Sequence, residues 1–334
     1  MHQPTVADIG ELGLLMRLQP FCATDLLGND AAVLPLGDAT TATVVTTDVL
    51  VDGVHFSDRT TAAEDVGWRA IAANLSDLAA MGARPIGVTV GLSLPGTVTV
   101  DWVERVYQGM ANCLKAHGGK ILGGDLCRAT QISLAITALG AVSPSQVIHR
   151  NRAQAGQWIV ATGPHGASRA GLELLLHPDC QPGLTELDQT QLIRAHQRPT
   201  PRFDVVNYLQ AADTTVFESM AGMDSSDGLA NAVLHLCQAS GVGARLVTSQ
   251  LPMPSVLKSW VGEKTALEWC LYGGEDFELV LCLPPAIAQQ LITQLGPQAT
   301  IIGTVTRNPT VLLVDTPDAQ SGMELTWEGC FQHF

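Results

Sequence analysis

The chain has 334 residues, 46% of them hydrophobic, 15% charged and 5% aromatic, with a formal charge of −14. That length suggests two domains, and the composition excludes a disordered chain. The acidic balance argues against a broad cationic surface for nucleic acid or anionic lipid.

In chain order, 42–51 (ATVVTTDVLV) is β-branched and reads as a strand, and 63–82 as a helix with Trp68, Ile71, Leu75 and Leu78 at helical spacing, closed by Gly82. A strand follows at 86–94, a helix at 101–119 ending in glycines, and a further strand at 131–142. The polar stretch 147–158 marks a boundary between two patterned units, 1–150 and 151–334. The second unit begins with WIVATG and continues with a helix over 166–176 and a loop rich in Pro, Asp and Gln. It then carries a helix from about Ser226 that buries Leu229, Val233, Leu236 and Cys237 and stops before Gly241, and strands at 277–284 and 300–306. The fold class is therefore α/β, with α+β mixing.

The eight cysteines (Cys22, Cys113, Cys127, Cys180, Cys237, Cys270, Cys282 and Cys330) lie in apolar surroundings without CxxC or zinc spacing, so reduced structural thiols are expected. Asp8 and Glu11 stand where a secretory signal would be basic and apolar, and no apolar run approaches the ~18 residues of a membrane span. A soluble cytoplasmic protein is the expectation.

The acids fall in a pattern. Asp224 and Asp227 enclose two serines in DSSDG, beside a helix start whose positive dipole end favours them. Asp30 precedes an apolar run, Asp48 follows two threonines in a strand, and Asp77 sits on an otherwise apolar helix. Asp125 and Asp276 each follow a glycine pair, the latter beside Glu275. Singly, each has an ordinary account as a cap, turn or solvated edge. Jointly, converging carboxylates with apolar flanks need compensating cations, and lysines near these motifs are too few. Oxygen donors without a His or Cys cluster suit Mg²⁺, which is usually held by a few carboxylates together with phosphate oxygens.

Other phosphate chemistries lack their marks. The sequence contains no GxxxxGK[ST] loop, no GxGxxG turn and no GxSxG elbow. The residues thus read as a magnesium-dependent, nucleotide-using α/β enzyme, with the substrate left open.

Read in order, GNDAAVL, TTDVLVDGVHF, NLSDLAAMGARP, GGD, HRNRAQAGQWIVATG, DSSDGL, GGEDFEL and LTWEGCFQHF resemble the thiamine-monophosphate kinase family nearly end to end. The pieces GGD and SDGL are shared across a wider ATP-binding superfamily of aminoimidazole ribonucleotide synthetases, selenophosphate synthetases and hydrogenase-maturation proteins. The resemblance implies an N-terminal domain whose sheet pairs with a second copy into a barrel-like homodimer core, and a C-terminal α/β domain that completes an ATP cleft. It implies phosphoryl transfer from ATP to the phosphate of thiamine monophosphate, direct and without a phosphoenzyme.

By that resemblance Asp30, Asp48, Asp77, Asp125, Asp224 and Asp227 are magnesium ligands, and Thr46 and Thr47 supply hydroxyl and main-chain ligands. Tyr107, Gly124, Asp125, Arg150 and Ser226 match ATP contacts, while His55, Glu275 and Trp327 match contacts to the thiamine phosphate. Trp327 suits a thiazolium through its π-face, and Glu275 suits the cation or the aminopyrimidine. Asn29 departs from the family, which usually carries an acid there, and Thr46 keeps the hydroxyl of a position that is serine or threonine across the superfamily.

The implied chemistry is positioning and charge neutralisation, centred on Asp224, Asp227 and Arg150. The acceptor is already an anion, so no general base is named. The rivals fit less well: Cys22 lacks the glycine-rich setting of a selenophosphate synthetase, the FQHF ending lacks the cysteine tail of a hydrogenase-maturation protein, and an intact acid set argues against a non-catalytic nucleotide binder.

Overall fold

A computed structural model describes residues 5–23, 26, 28–35, 40–179, 183–212, 214–319 and 321–331. The N-terminal unit runs α1 (Val6–Leu18), β1 (Ala32–Pro35), β2 (Ala42–Val51), α2 (Ala63–Ala80), β3 (Arg84–Leu94), α3 (Val100–His117), β4 (Ile121–Arg128) and β5 (Ser133–Val142). Its five strands form one sheet in the order β1-β2-β5-β3-β4, antiparallel except for the β3–β4 pair. Along β2 the even-numbered residues Ala42, Val44, Thr46 and Leu50 are buried, as the two-residue strand period requires. The buried face lies under α2 and α3.

Helix α2 is buried nearly all round, although its sequence suggested a single apolar stripe. It is sandwiched between the sheet, α3 and elements of the C-terminal unit, so its polar residues are interior residues too. Trp68, for example, donates its indole N–H to the Pro199 carbonyl at 2.8 Å. The α2–α3 crossing is close because Gly67 and Gly109 face each other's backbones: a Cβ at Gly67 would meet the Val106 carbonyl, and one at Gly109 the Glu64 carbonyl.

The C-terminal unit runs β6 (Trp158–Ala161), α4 (Ala167–Leu176), α5 (Glu186–Gln197), α6 (Phe203–Ala212), β7 (Ala221–Asp224), α7 (Leu229–Ser240), β8 (Gly243–Val247), α8 (Ser255–Val261) and α9 (Glu263–Tyr272). It closes with β9 (Leu279–Leu283), α10 (Pro285–Leu295), β10 (Thr300–Thr306), β11 (Val311–Val314) and β12 (Met323–Glu324). These strands make a second sheet, β12-β11-β8-β10-β6-β9-β7, with only β11–β8 parallel. The two units meet where α2 packs on β7.

The mixed α/β class stands, with differences in detail. The expected Pro/Asp/Gln-rich loop contains α5, which starts in a capping box where Thr185 and Asp188 satisfy each other's backbone N–H groups. Helix α7 starts at Leu229 rather than near Ser226, because Gly228 precedes it with φ +105°. Asp224 therefore ends a strand, and Asp227 lies in the turn before the helix. Residues 121–128 are a strand despite their two glycines, and within one chain the N-terminal sheet is open, with β1 and β4 at its edges and no closed barrel.

Seven described cysteines are free thiols, and Cys180 lies outside the described residues. Among the described residues no helix is long and apolar enough to cross a membrane. Gly109→Ala should force α2 and α3 apart at a cost of about 1–3 kcal/mol, read from urea-denaturation midpoints. Gly96→Ala, where a Cβ meets open space, is the control and should leave the midpoint nearly unchanged.

Candidate active site

Four segments bring acids to one place. Asp30 comes from the segment before β1, Thr46 and Asp48 from the α2-facing side of β2, Asp77 from the end of α2, and Asp224 from the end of β7. Asp30, Asp77 and Asp224 each present an oxygen within 4.8 Å of the others. Thr46 Oγ1 donates to Asp77 Oδ2, Ser76 Oγ donates to Asp224 Oδ2 at 2.8 Å, and Ser226 Oγ donates to Asp224 Oδ1 at 3.3 Å. The backbone N–H of Asp48 is anchored by Asn74 Oδ1 at 3.1 Å.

Burial and mutual repulsion dominate the electrostatics. Burial, Asp48, Asp224 and Asp30 push Asp77 well above the ordinary aspartate range. Burial and Asp30 raise Asp224 to about 8, and burial with Asp227 and Asp30 raises Asp48 to about 6. Arg150 is the cation within the cluster, its Nη2 and Nε donating to the two oxygens of Asp30 at 2.8 and 3.3 Å. Asn29 holds that arginine from behind by accepting its backbone N–H at 3.0 Å. Asn29 thus has a structural task that its amide oxygen performs as a carboxylate would.

Asp48, Asp77, Asp224 and Asp227 line a cavity of about 570 Å³. Arg69, Ala73 and Asp77 line it at four-residue steps along α2, so the wall from Arg69 to Asp77 is about 12 Å long at 1.5 Å per residue. Ser226 lines the cavity beside Asp224. His55, Arg169, Leu172, Tyr272, Phe277 and Phe331 also line it, together with Glu275. Glu275 accepts a bond from Arg69 Nη2 at 2.6 Å, and His55 Nδ1 accepts the Val51 N–H at 3.1 Å.

Other expected residues lie elsewhere in the single chain. Thr47 points to the opposite face of β2, where its hydroxyl meets that of Thr137 at 2.9 Å, so only its main chain shares the acid side. Asp125 pairs with Gly91, out of phase with the buried Val90 and Leu92, and therefore projects from the face opposite the acids. Gly124 and Asp125 sit on edge strand β4, three strands from β2 or about 14 Å at the usual strand spacing. Tyr107 is half-buried against the N-terminal core on α3. Trp327 does not line the cavity; it packs edge-on over His235 with ring centroids 4.7 Å apart, while Phe331 reaches the cavity instead.

The sequence reading passed over Arg69, Ser76, Arg169, Tyr272 and Phe277. Arg69 did carry a signal: it stands two helical turns before Asp77, on a helix otherwise poor in positive charge.

Comparison with known proteins bears on this arrangement. Residues 28–142 match the family described as AIR synthase related protein, N-terminal domain, and residues 154–315 match its C-terminal domain. The thiamine-monophosphate kinase of Synechococcus elongatus is 48% identical over 338 residues, covering 100% of this chain and 99% of that protein. A solved structure described as AaThiL complexed with AMPPCP and TMP superimposes with a TM-score of 0.83 at 29% identity, covering 100% of both chains. The hydrogenase maturation protein HypE shares the fold at a TM-score of 0.68 and 20% identity, covering 92% of this chain and 95% of that one. With both AIR-synthase-related domains present and near-half identity to a kinase along its whole length, the chain belongs to the thiamine-monophosphate kinase family.

Proposed function

We infer that this chain transfers the γ-phosphoryl group of ATP to thiamine monophosphate, giving thiamine diphosphate and ADP. The observation that carries the reading is the cavity along α2, whose lining joins Asp48, Asp77, Asp224 and Asp227, which suit metal-bound phosphates, to Glu275 and the rings of Tyr272, Phe277 and Phe331, which suit a cationic acceptor.

The acid end fits divalent magnesium. Its donors are carboxylates and a threonine hydroxyl, and burial with mutual repulsion pushes Asp77, Asp224 and Asp48 up, an effect a bound divalent ion would offset. Asp30, Thr46, Asp48, Asp77, Asp224 and Asp227 would hold the ions, with Thr47 contributing through its main chain. Bound there, the ions would neutralise phosphate charge and favour in-line displacement. Arg150 orients Asp30 and would face the ATP phosphates, and Ser226 would contact them from the turn before α7. Because the acceptor phosphate is anionic, transfer is direct and needs no general base.

We assign residues 1–150 to nucleotide and metal binding and residues 151–334 to completing the cleft. The open face of the N-terminal sheet, where Val49 is 47% exposed beside Thr47 and Ala135, is assigned to pairing with a second copy. Asp125 projects on that side of the sheet, far from its own acids, with Gly124 next to it on edge strand β4, so both would serve the partner's nucleotide. Tyr107 and Trp327 stand outside the cavity of the single chain, so neither is assigned a substrate contact within it. Free thiols accord with a reducing cytoplasm.

An assay coupled to ADP release, with chromatography for thiamine diphosphate, should give product with thiamine monophosphate and none with thiamine; product from thiamine would overturn the acceptor assignment. Asp224→Asn or Asp227→Asn should lower kcat by ~10²-fold or more without lowering the melting temperature.

The acid cluster also has a stability signature. Asp224 binds its proton more tightly folded (about 8) than at its ordinary 3.8, so metal-free stability should fall as pH rises through that interval. Asp77→Asn should raise the melting temperature in chelator and shrink the stabilisation by Mg²⁺, measured by differential scanning fluorimetry.

Mixing inactive Asp125→Asn and Asp224→Asn chains tests the shared site. Random re-pairing should recover about a quarter of native activity, since half the dimers are mixed and each has one intact site. No recovery would place Asp125 in its own chain's site.

A further inference from the structure

Glu275 faces the cavity from an unfavourable backbone. It and Phe277 are the non-glycine residues among those described that take left-handed φ, +57° and +52°. A Cβ disfavours that conformation, and it persists where surrounding contacts over-determine it.

Three contacts do so. The Glu275 N–H donates to the Ser226 carbonyl at 2.6 Å, tying the strained turn to the acid-bearing turn before α7. The next side chain, Asp276, turns the other way: Oδ2 accepts from the Gly166 N–H at 2.7 Å and Oδ1 from the Ser168 N–H at 2.9 Å, at the start of α4. The Glu275 carboxylate itself is held by Arg69 Nη2 at 2.6 Å.

Arg69 is in turn fixed. Its side chain is 3% exposed, its Nη1 donates to the His196 carbonyl, and its Nη2 also stands 3.4 Å from the His55 carbonyl. The His196 ring closes the network, with Nδ1 3.1 Å from Ser168 Oγ and 3.7 Å from Glu275 Oε2. Helices α2, α4 and α5 thus converge on one carboxylate. Glu275 nevertheless keeps 32% of its side chain exposed, and a carboxylate has about four lone-pair sites, so it retains acceptor capacity toward the cavity.

We propose that Arg69 and Asp276 are positioning residues that hold the Glu275 carboxylate at the cavity wall, setting affinity for an aminopyrimidine or cationic-ring acceptor rather than the rate of phosphoryl transfer. This rests on Glu275 as an acceptor contact. Arg69 acts on the carboxylate and Asp276 on the backbone that carries it, so both effects pass through the same side chain.

The test is steady-state kinetics on Glu275→Gln, Arg69→Lys and Asp276→Asn, and on each of the last two combined with Glu275→Gln. Each single change should raise KM for thiamine monophosphate about tenfold, with kcat and the KM for ATP held within about threefold. In the Glu275→Gln background the second change should add less than about twofold, because its target is already altered. Additive effects, or a fall in kcat at constant KM, overturn the proposal. An unchanged acceptor KM in Glu275→Gln instead removes Glu275 from the acceptor site. A raised KM there with unchanged values in Arg69→Lys and Asp276→Asn removes only the positioning roles. Arg69→Lys keeps the buried cation and Asp276→Asn keeps the side-chain shape, so neither change should unfold the chain.

Discussion

The repulsion among buried carboxylates at the end of α2 is the constraint on which the rest of this structure depends. Asp30, Asp77 and Asp224 stand within reach of a common ion, and Arg150 is committed to Asp30 alone. A cluster so arranged is costly in isolation, because each charge loses hydration and meets a like charge. The surrounding fold holds it in place through hydroxyls and amides: Thr46, Ser76 and Ser226 hydrogen-bond the acids, while Asn74 and Asn29 fix the backbones of Asp48 and Arg150. Geometry is thereby set before any ligand arrives, which is how pre-organised electrostatic catalysis avoids reorganisation during the reaction.

Helix α2 acts as the ruler of the site. It must lie close to both α3 and the sheet to carry Asp77 to the strand acids, and Gly67 and Gly109 permit that approach by removing side chains at the crossing. The same rigid helix carries Arg69 two turns earlier, so the separation between Asp77 and the arginine that holds Glu275 is a helical repeat rather than a loop length. The C-terminal unit then closes the cavity with two turns that rest on each other, Ser226 against Glu275. The acids and Glu275 are consequently coupled through backbone.

The two sheet faces divide the work. Thr46 and Asp48 point toward α2, and their neighbours Thr47 and Val49 point away, because successive strand residues alternate. The outward face carries the half-exposed Val49, and it is the side on which Asp125 projects. A single strand, β2, thus joins the acid cluster to the surface assigned to dimerisation.

Sequence alone determined the α/β class, most strand and helix positions in the N-terminal half, and the family, because hydrophobic periodicity and motif order are local properties that survive without coordinates. It also singled out the acids, since aspartates with apolar flanks stand out one by one. Polar helix α5 and glycine-bearing strand β4 escaped it, the first because Leu192 and His196 are its only fully buried residues and the second because it is an edge strand. Only the tertiary structure decided which acids share a space, that Asp125 and the Thr47 hydroxyl do not join them within one chain, and that Arg69 faces Glu275 across 206 positions of sequence. Those facts depend on strand phase, helix rotation and the docking of two units, none of which is fixed by the identity of any one residue.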